Sequence, residues 1–313
     1  MTYLLTSLVN GLVFGLLLFM VSAGLTLIFG MMGVLNFAHS SLYMLGAYLG
    51  YSIGRWTGFW PALLLAPLAV ALLGAFIERY MLRRVHRHGH AQELLLTFGL
   101  ALIIHEAIKL MYGPYPVEYA IPAELARTAF SVNGFNVPLY RLFIGAVAIS
   151  MFVSLFLLMR YTRLGLIVRA ALSQPLMVES LGHNVGFVFL LVFAIGAALA
   201  GLAGAVAGAF YPTGPNMAED LGSIVFVVVV VGGLGSLEGA LVASLAIGLL
   251  TTLTVGLDWT LAGALAPFGL SGWAASIGGL FSITLSSLTG SLPFIIMLFV
   301  LLFRPAGLMG ERS

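Results

Sequence analysis

Long apolar segments alternate with short polar ones along the whole chain. Nine apolar segments are recognisable, at about 4–29, 41–54, 60–78, 93–111, 140–159, 187–210, 222–233, 240–256 and 292–303. Several are shorter than the roughly 17 residues that a straight membrane-spanning helix needs, which predicts discontinuous helices or re-entrant segments. The pattern predicts an all-α polytopic membrane protein with about 8 to 10 transmembrane or partly transmembrane helices. The mildly apolar region 257–291 could hide a further partial crossing.

The composition supports this fold class. Of the 313 residues, 61% are hydrophobic and 8% are charged, whereas about 25% of the residues in a soluble domain are charged. A soluble protein of this size could not cover its surface with so few charges. The 38 glycines fit membrane helices that pack closely through small residues. A transmembrane barrel would instead show blocks of alternating apolar and polar residues.

Residue types that are missing exclude several functions. The chain contains no cysteine, which excludes disulfides, thiol catalysis and cysteine-bound zinc. The net charge of +2 argues against a nucleic-acid partner, because such a surface needs clustered Lys and Arg. The single lysine, Lys109, is followed by leucine, so the nucleotide-binding sequence G-x-x-x-x-G-K-[ST] is absent. We expect no catalytic residue, metal or cofactor, and if ATP drives this protein another chain must hydrolyse it.

The distribution of arginines predicts the orientation. Two loops between apolar segments contain most of them, and Lys and Arg accumulate in cytoplasmic loops. These residues are Arg79, Arg83, Arg84 and Arg87 in the first loop and Arg160, Arg163 and Arg169 in the second. Both loops are therefore predicted to be cytoplasmic. With nine crossings, the C-terminus lies inside and the uncharged N-terminus outside.

The first candidate functional segment, 30–41, joins the first two apolar segments. It is too short and too apolar for a solvated loop, yet it contains Gly30, Gly33, Asn36 and His39. Non-helical backbone at membrane depth is tolerated only where protein buries it or a water-filled cavity meets it. Transporters present such breaks to their substrates, so we predict that these four residues line a translocation path. In the alternative, the segment is a tight turn in which Asn36 and His39 only satisfy backbone groups.

A second glycine-rich break, 231–240, interrupts the other half of the chain. Its candidate path residues are Gly232, Gly233, Gly235 and Ser236. Paired breaks of this kind, one per half, are typical of inverted-repeat transporters whose path lies between the repeats. The chain is then a single transmembrane domain, 1–313, with possible repeat halves at about 1–150 and 151–313. In the alternative, the glycines only allow close helix packing.

The predicted cytoplasmic loop at about 160–187 contains a short amphipathic helix. This helix is expected to end at Gly182, because glycine suits the position after a helix end. Its apolar residues Ala171, Leu172, Leu176, Val178 and Leu181 stand among polar residues that include Glu179. An apolar face on a cytoplasmic helix needs cover. Either the lipid interface or the groove of a soluble partner can supply it.

Small residues recur at every fourth position of the apolar segment 187–210. They are Gly196, Ala200, Gly204 and Gly208. Such a stripe predicts a tight contact between helices.

Two further groups of polar residues receive structural interpretations. Glu106 and Lys109 are spaced to pair on one helix face, and a proton relay through His105 and Glu106 is the alternative. The histidines at 86, 88 and 90 are interpreted as part of a solvated loop and not as a metal site.

Four motifs together resemble LivH-type permeases of branched-chain amino acid ABC transporters. The segments are Gly24–Gly30 running into Gly33–His39, then Phe193–Ala205, Gly232–Ser236 and the closing Phe303–Gly310. In this order they are similar to the family's N-terminal signature, the segment after its coupling loop, its glycine-rich break and its R-P-x-G-L-x-G ending. The resemblance covers essentially the whole chain.

The resemblance implies a permease subunit of a bacterial inner-membrane importer for branched-chain or related amino acids. In this family a LivH-type and a LivM-type permease form the pore, two ATPase subunits drive it, and a periplasmic binding protein delivers the substrate. The loop at 160–187 then becomes the coupling loop, which contacts an ATPase through Arg169 and the stretch from Ala171 to Gly182. This loop carries less charge than is usual in the family, and 257–291 matches nothing in it.

Several alternatives stay open on the sequence alone. Related systems carry urea, short amides or small organic acids, and the permease pair could be a homodimer or a heterodimer. A stand-alone secondary transporter or channel for a small polar solute would need no nucleotide, with Glu106 as a candidate coupling acid. An intramembrane enzyme would need a nucleophile and a base at membrane depth, where the expected polar cluster is Asn36, His39, Ser40 and Ser41.

Overall fold

The computed structural model describes residues 2–132, 135–256, 260, 263, 273, 277, 279 and 283–310. Six helices in this part of the chain are long and apolar enough to cross a membrane. They are Tyr3–Met32, Phe59–Val85, His90–Tyr112, Leu139–Tyr161, Val185–Ala207 and Leu237–Val255. The prediction of an all-α polytopic membrane protein is confirmed. The partial crossing considered at 257–291 lies mostly outside the described residues.

The helices follow the apolar segments closely. They are α1 (Thr2–Met32), α2 (His39–Thr57), α3 (Phe59–Ile77), α4 (Arg83–Val85), α5 (His90–Tyr112), α6 (Leu139–Tyr161), α7 (Arg163–Ser173), α8 (Pro175–Ser180), α9 (Val185–Ala207), α10 (Met217–Gly232), α11 (Leu237–Val255) and α12 (Leu292–Phe303). A π-helical segment, Glu78–Leu82, joins α3 to α4, and 3-10 turns cover His86–His88 and Leu285–Leu288. The strands β1 (Thr128–Val132) and β2 (Phe135–Pro138) form an antiparallel hairpin between α5 and α6.

The two ends of α6 mark two different ends of the bundle. The β1–β2 hairpin precedes α6 directly, and Arg160 and α7 come at its other end. We call these the hairpin end and the arginine-rich end. The positive-inside rule predicts that the arginine-rich end is cytoplasmic.

The central helix of the bundle is α1. Protein buries 78% of its most apolar window, against 22% for α5 and α6. The helix is apolar all round, as expected for one that other helices surround. Glycines allow α11 to approach it closely, since a Cβ atom at Gly15 would lie 2.8 Å from the carbonyl oxygen of Ser244.

Small residues of α9 let two helices approach it. The stripe of Gly196, Ala200, Gly204 and Gly208 is buried throughout. Gly196 faces α1. A Cβ atom at Gly204 would overlap the carbonyl oxygen of Tyr43 in α2, and one at Gly208 would lie 2.9 Å from the Cβ atom of Ala47. The start of α2 is therefore held against α9 by backbone packing.

The connection between α6 and α9 contains two helices where the sequence analysis expected one. The first helix, α7, ends at Ser173, and α8 begins at Pro175. Proline has no N–H to continue the helix and keeps the preceding residue, Gln174, out of the helical conformation. Gly182 follows the end of α8 with a φ of +85°, which agrees with the expected helix end.

The chain after α12 returns to the end of α10. The backbone N–H groups of Leu308 and Met309 donate to the carbonyl oxygens of Val231 and Gly232, at 2.8 and 3.0 Å. Carbonyls in the last turn of a helix have no partner within that helix. The neighbouring Gly307 has a φ of +80° and packs directly on the facing backbone. The R-P-x-G-L-x-G ending thus caps α10.

We predict that Gly204→Ala destabilises the protein, because the added methyl group collides with the α2 backbone. Overpacking of this kind costs about 1–3 kcal/mol. Gly99→Ala in α5 is the matched control, since nothing lies within 4 Å of its Cβ position and alanine favours helix by about 1 kcal/mol. The measurement is the temperature at which each detergent-purified variant loses its monodisperse gel-filtration peak. Equal temperatures for the two variants would contradict the assigned contact.

Candidate functional site

The chain re-enters the bundle between α1 and α2. Gly33, with a φ of +66°, ends α1, and His39 begins α2 beside the middle of α1. The Nε2 atom of His39 lies 2.9 Å from the carbonyl oxygen of Val21. Val21 precedes Met32, the last residue of α1, by 11 residues, so α2 begins about 16 Å back along α1. The predicted break therefore folds back beside the middle of a helix that is long and apolar enough to cross a membrane, and we call it the re-entrant segment.

Polar side chains hold the backbone of this segment. The Oδ1 atom of Asn36 accepts a hydrogen bond from the N–H of Ala38 at 3.1 Å, and Thr97 of α5 accepts one from the N–H of Phe37 at 3.3 Å. His39 faces a carbonyl oxygen through Nε2, which assigns the proton to that nitrogen. Among the described residues, Asn36 Nδ2 and His39 Nδ1 have no hydrogen-bond partner. Both side chains therefore satisfy backbone groups and keep one unused polar atom each.

A cavity of about 390 Å³ opens beside the re-entrant segment. It is bordered by the start of α2, by α5, by the first half of α10 and by Phe294 of α12. The polar residues of its wall are Asn36, His39, Ser40, Ser41, His105, Glu219 and Ser223, and its apolar residues include Leu25, Phe98, Leu102, Val225 and Phe226. A mostly apolar wall with a few polar groups is typical of a site for a small molecule.

His105 of α5 faces Glu219 of α10 at the rim of the cavity. Its Nδ1 atom lies 3.8 Å from a carboxylate oxygen of Glu219, and the two side chains are 9% and 70% exposed. Sequence analysis missed this pair, because its members are on different helices. The local pair that was expected, Glu106 with Lys109, is present at 3.3 Å on the surface of α5.

The second glycine-rich break lies away from this cavity. A Cβ atom at Gly235 would lie 2.8 Å from the Cα atom of Gly30, so the structure brings the two predicted breaks into contact there. Gly232 packs against α11 and Gly233 against the C-terminal tail, and Ser236 caps α11. Among the described residues that border the cavity, none belongs to this break. Its place in a translocation path stays a prediction.

A different break, 208–216, precedes α10, the helix of the second half whose first part borders the cavity. It separates α9 from α10, and Pro212, Gly214 and Pro215 within it were the sequence signal that could have revealed it. Each half thus contains a helix, a break and a second helix, namely α1 and α2 in the first half and α9 and α10 in the second. The helix α1 ends near α7, whereas α9 begins there, so the two units run in opposite directions. An inverted repeat needs this arrangement, and the repeat halves stay a prediction.

The sequence matches, over residues 7–301, the family described as branched-chain amino acid transport system / permease component. The chain belongs to this family. It is 27% identical to the high-affinity branched-chain amino acid transport system permease protein BraD of Pseudomonas aeruginosa, over 98% of this chain and 96% of the relative. It is 28% identical to the permease protein LivH of Escherichia coli strain K12, over 80% of this chain and 86% of the relative.

A third relative matches a smaller share of the chain. The chain is 26% identical to the probable branched-chain amino acid transport permease protein LivH of Methanocaldococcus jannaschii, over 77% of this chain and 78% of the relative. No solved structure matches the chain significantly.

The permease has a buried and an exposed face on α7 and α8. Ala171 and Val178 are buried against Val185 of α9. Met177 and Leu181 are 62% and 74% exposed. The predicted coupling residues Arg169 and Glu179 are also on the exposed side. An unpartnered apolar surface therefore lies at the arginine-rich end of the permease.

Two buried carboxylates bind basic side chains at the same end. Arg83 donates two hydrogen bonds to Glu78, at 3.1 and 3.0 Å, and a third to the carbonyl oxygen of Gly186 at the start of α9. Glu93, which is 2% exposed, contacts His86 and also His90 at 3.2 Å. Within the described part of the chain, no cluster of metal-binding side chains is found. His86 and His90 thus both contact the buried carboxylate of Glu93.

We predict that Glu93→Gln lowers the thermal stability of the permease, whereas Glu106→Gln on the same helix leaves it nearly unchanged. Hydrogen bonds to a buried charge contribute about 1.5–3 kcal/mol, but an exposed pair such as Glu106 with Lys109 contributes at most about 1 kcal/mol. Thermal denaturation of both detergent-purified variants checks this. An equal loss of thermal stability in the two variants would show that the buried contacts of Glu93 contribute no more than the exposed pair.

Proposed function

We propose that this permease is one of two membrane subunits of a bacterial inner-membrane ABC importer for branched-chain or related amino acids. Its N-terminus lies outside and its C-terminus in the cytoplasm. A LivM-type permease completes the pore, two ATPase subunits at the arginine-rich end hydrolyse ATP, and a periplasmic protein delivers the substrate. The relatives BraD and LivH are named as permease proteins of branched-chain amino acid transport systems, which supports the substrate class.

One observation carries the proposal of a second permease. Glu219 and Ser223, which border the cavity, and the neighbouring Asp220 are exposed on α10. Gly222 of the same helix nevertheless touches Ser40 at the membrane-embedded start of α2. A carboxylate that faces hydrocarbon costs several kcal/mol. This side of the permease must therefore face water or another protein. A second permease placed here encloses the cavity between two subunits.

The apolar surface of α7 and α8 supports the ATPase contact. Met177 and Leu181 lie at the predicted cytoplasmic end, where a soluble partner can cover them in a groove. Arg83 connects the neighbouring start of α9 to the π-helical segment after α3, so a displacement of this loop reaches the bundle directly. ATP-driven movement of α7 and α8 then shifts the spans around the re-entrant segment, and access to the cavity alternates between the two sides.

Mild-detergent affinity purification of the tagged permease from its native membrane tests the assembly. We expect two nucleotide-binding subunits and a second permease to be recovered with it in stoichiometric amounts, identified by mass spectrometry. The recovered complex should take up leucine into proteoliposomes only with ATP and the binding protein. Recovery of the chain alone, with uptake that needs no nucleotide, would overturn the proposal in favour of a secondary transporter or channel.

We further predict that Leu181→Asp reduces the recovery of the ATPase subunits at least about tenfold, since losing one buried apolar side chain at an interface costs about 1.5–3 kcal/mol. Trp56→Asp is the control. Trp56 is 91% exposed, but it lies at the other end of the bundle, where it should leave the recovery unchanged. Equal recovery from both variants would remove α8 from the proposed interface.

A further inference from the structure

We propose that the cavity binds the two charged groups of an amino acid at two separate places. The first turn of α2, together with Asn36, binds the carboxylate, and Glu219 binds the ammonium group. This inference rests on the proposed function, because it assigns roles within the same cavity.

The carboxylate subsite lies where α2 begins. This helix of 19 residues starts at His39, whose N–H already donates to the carbonyl oxygen of Asn36 at 3.2 Å, and no side chain caps the following N–H groups of the first turn. The free N–H groups and the positive dipole end of a helix attract anions. Two residues of this turn, Ser40 and Ser41, border the cavity.

Asn36 gives an independent indication of a ligand at the same point. Asn36 borders the cavity and is 3% exposed. The Oδ1 atom is occupied by the N–H of Ala38, but the Nδ2 atom has no hydrogen-bond partner among the described residues. A buried donor without a partner costs about 1–3 kcal/mol. An acceptor that arrives with the substrate removes this penalty, and Nδ2 can only donate.

The ammonium subsite lies across the cavity at Glu219. Its carboxylate is in the first turn of α10, where the helix N-terminus favours negative charge. The buried imidazole of His105 lies 3.8 Å from it. The neighbouring acid, Asp220, does not border the cavity.

The contact between α10 and α2 places the two subsites about one helical turn apart along α10. Gly222 of α10 touches the first turn of α2, since a Cβ atom there would lie 2.8 Å from the hydroxyl oxygen of Ser40. Glu219 is one helical turn before Gly222, a rise of about 4.5 Å. The carboxylate and the ammonium group of an amino acid are bonded to one carbon, so they can reach both places together. Phe98, Leu102 and Phe226 form the apolar wall next to them, where an aliphatic side chain fits.

The test compares three probes with matched shapes and different charges. Leucine carries both charged groups, 4-methylpentanoate lacks the ammonium group, and 3-methylbutylamine lacks the carboxylate. Their dissociation constants are measured by saturation-transfer NMR on the purified permease complex without nucleotide or binding protein. We expect the wild type to bind leucine about tenfold more tightly than either analogue, the effect of one charge-assisted hydrogen bond.

Each of the two site variants should weaken or abolish one preference only. In Glu219→Gln, leucine and 4-methylpentanoate should bind equally, while leucine still binds more tightly than 3-methylbutylamine. In Asn36→Ala, the preference over 3-methylbutylamine should fall and the preference over 4-methylpentanoate should stay. Asp220→Asn is the control and should keep both preferences. Thermal denaturation of each variant checks that it is folded.

Three outcomes would overturn the inference. They are unchanged preferences in Glu219→Gln, equal effects of Glu219→Gln and Asp220→Asn, and wild-type binding that does not distinguish the three probes. The second outcome would assign Glu219 to the contact with the partner permease. The proposed function is tested separately and fails when purification recovers no ATPase subunit. In that case the binding of the three probes can still be measured on the chain alone.

Discussion

The site depends on how the re-entrant backbone is satisfied inside the membrane. Water is absent from the hydrocarbon core, so each N–H and carbonyl group there needs a partner from the protein. Between α1 and α2 these partners are the side chains of Asn36 and Thr97, and His39 fixes the start of α2 to α1. A helix that begins at this depth exposes its N-terminal turn to the interior. The cavity exists because the chain stops being helical there and α5 and α10 close around it.

Close backbone packing makes this arrangement possible. The ring of His39 lies over Gly24, where a Cβ atom would be 2.8 Å from Cε1. On the other side of α2, the small residues of α9 leave space for its backbone. Side chains at these positions would push α2 outward and break the contact between His39 and Val21. The polar site therefore depends on these glycines, because its contacts form only when the helices pack at short range.

Hydropathy predicted most of the fold, because the membrane imposes its thickness directly on the sequence. The nine apolar segments correspond to α1, α2, α3, α5, α6, α9, α10, α11 and α12. The first break and the residues Asn36 and His39 were also visible, as polar groups in an apolar context. The other wall of the cavity was not. His105 and Glu219 lie on helices far apart in the chain, and no local pattern shows that they meet. The contact of Gly30 with Gly235 likewise joins residues far apart in the chain and has no local sequence signal. The division between α7 and α8 did have one, because Pro175 stands between them.

The cap on α10 has a consequence for the order in which contacts form. The groups that satisfy Val231 and Gly232 are supplied by Leu308 and Met309, which follow α11 and α12 in the chain. The two carbonyl oxygens at the end of α10 therefore wait for their partners until α12 has formed and the chain after it has returned. A chain truncated before Arg304 would keep every predicted span and still lack the closure that holds α10, α11 and α12 together.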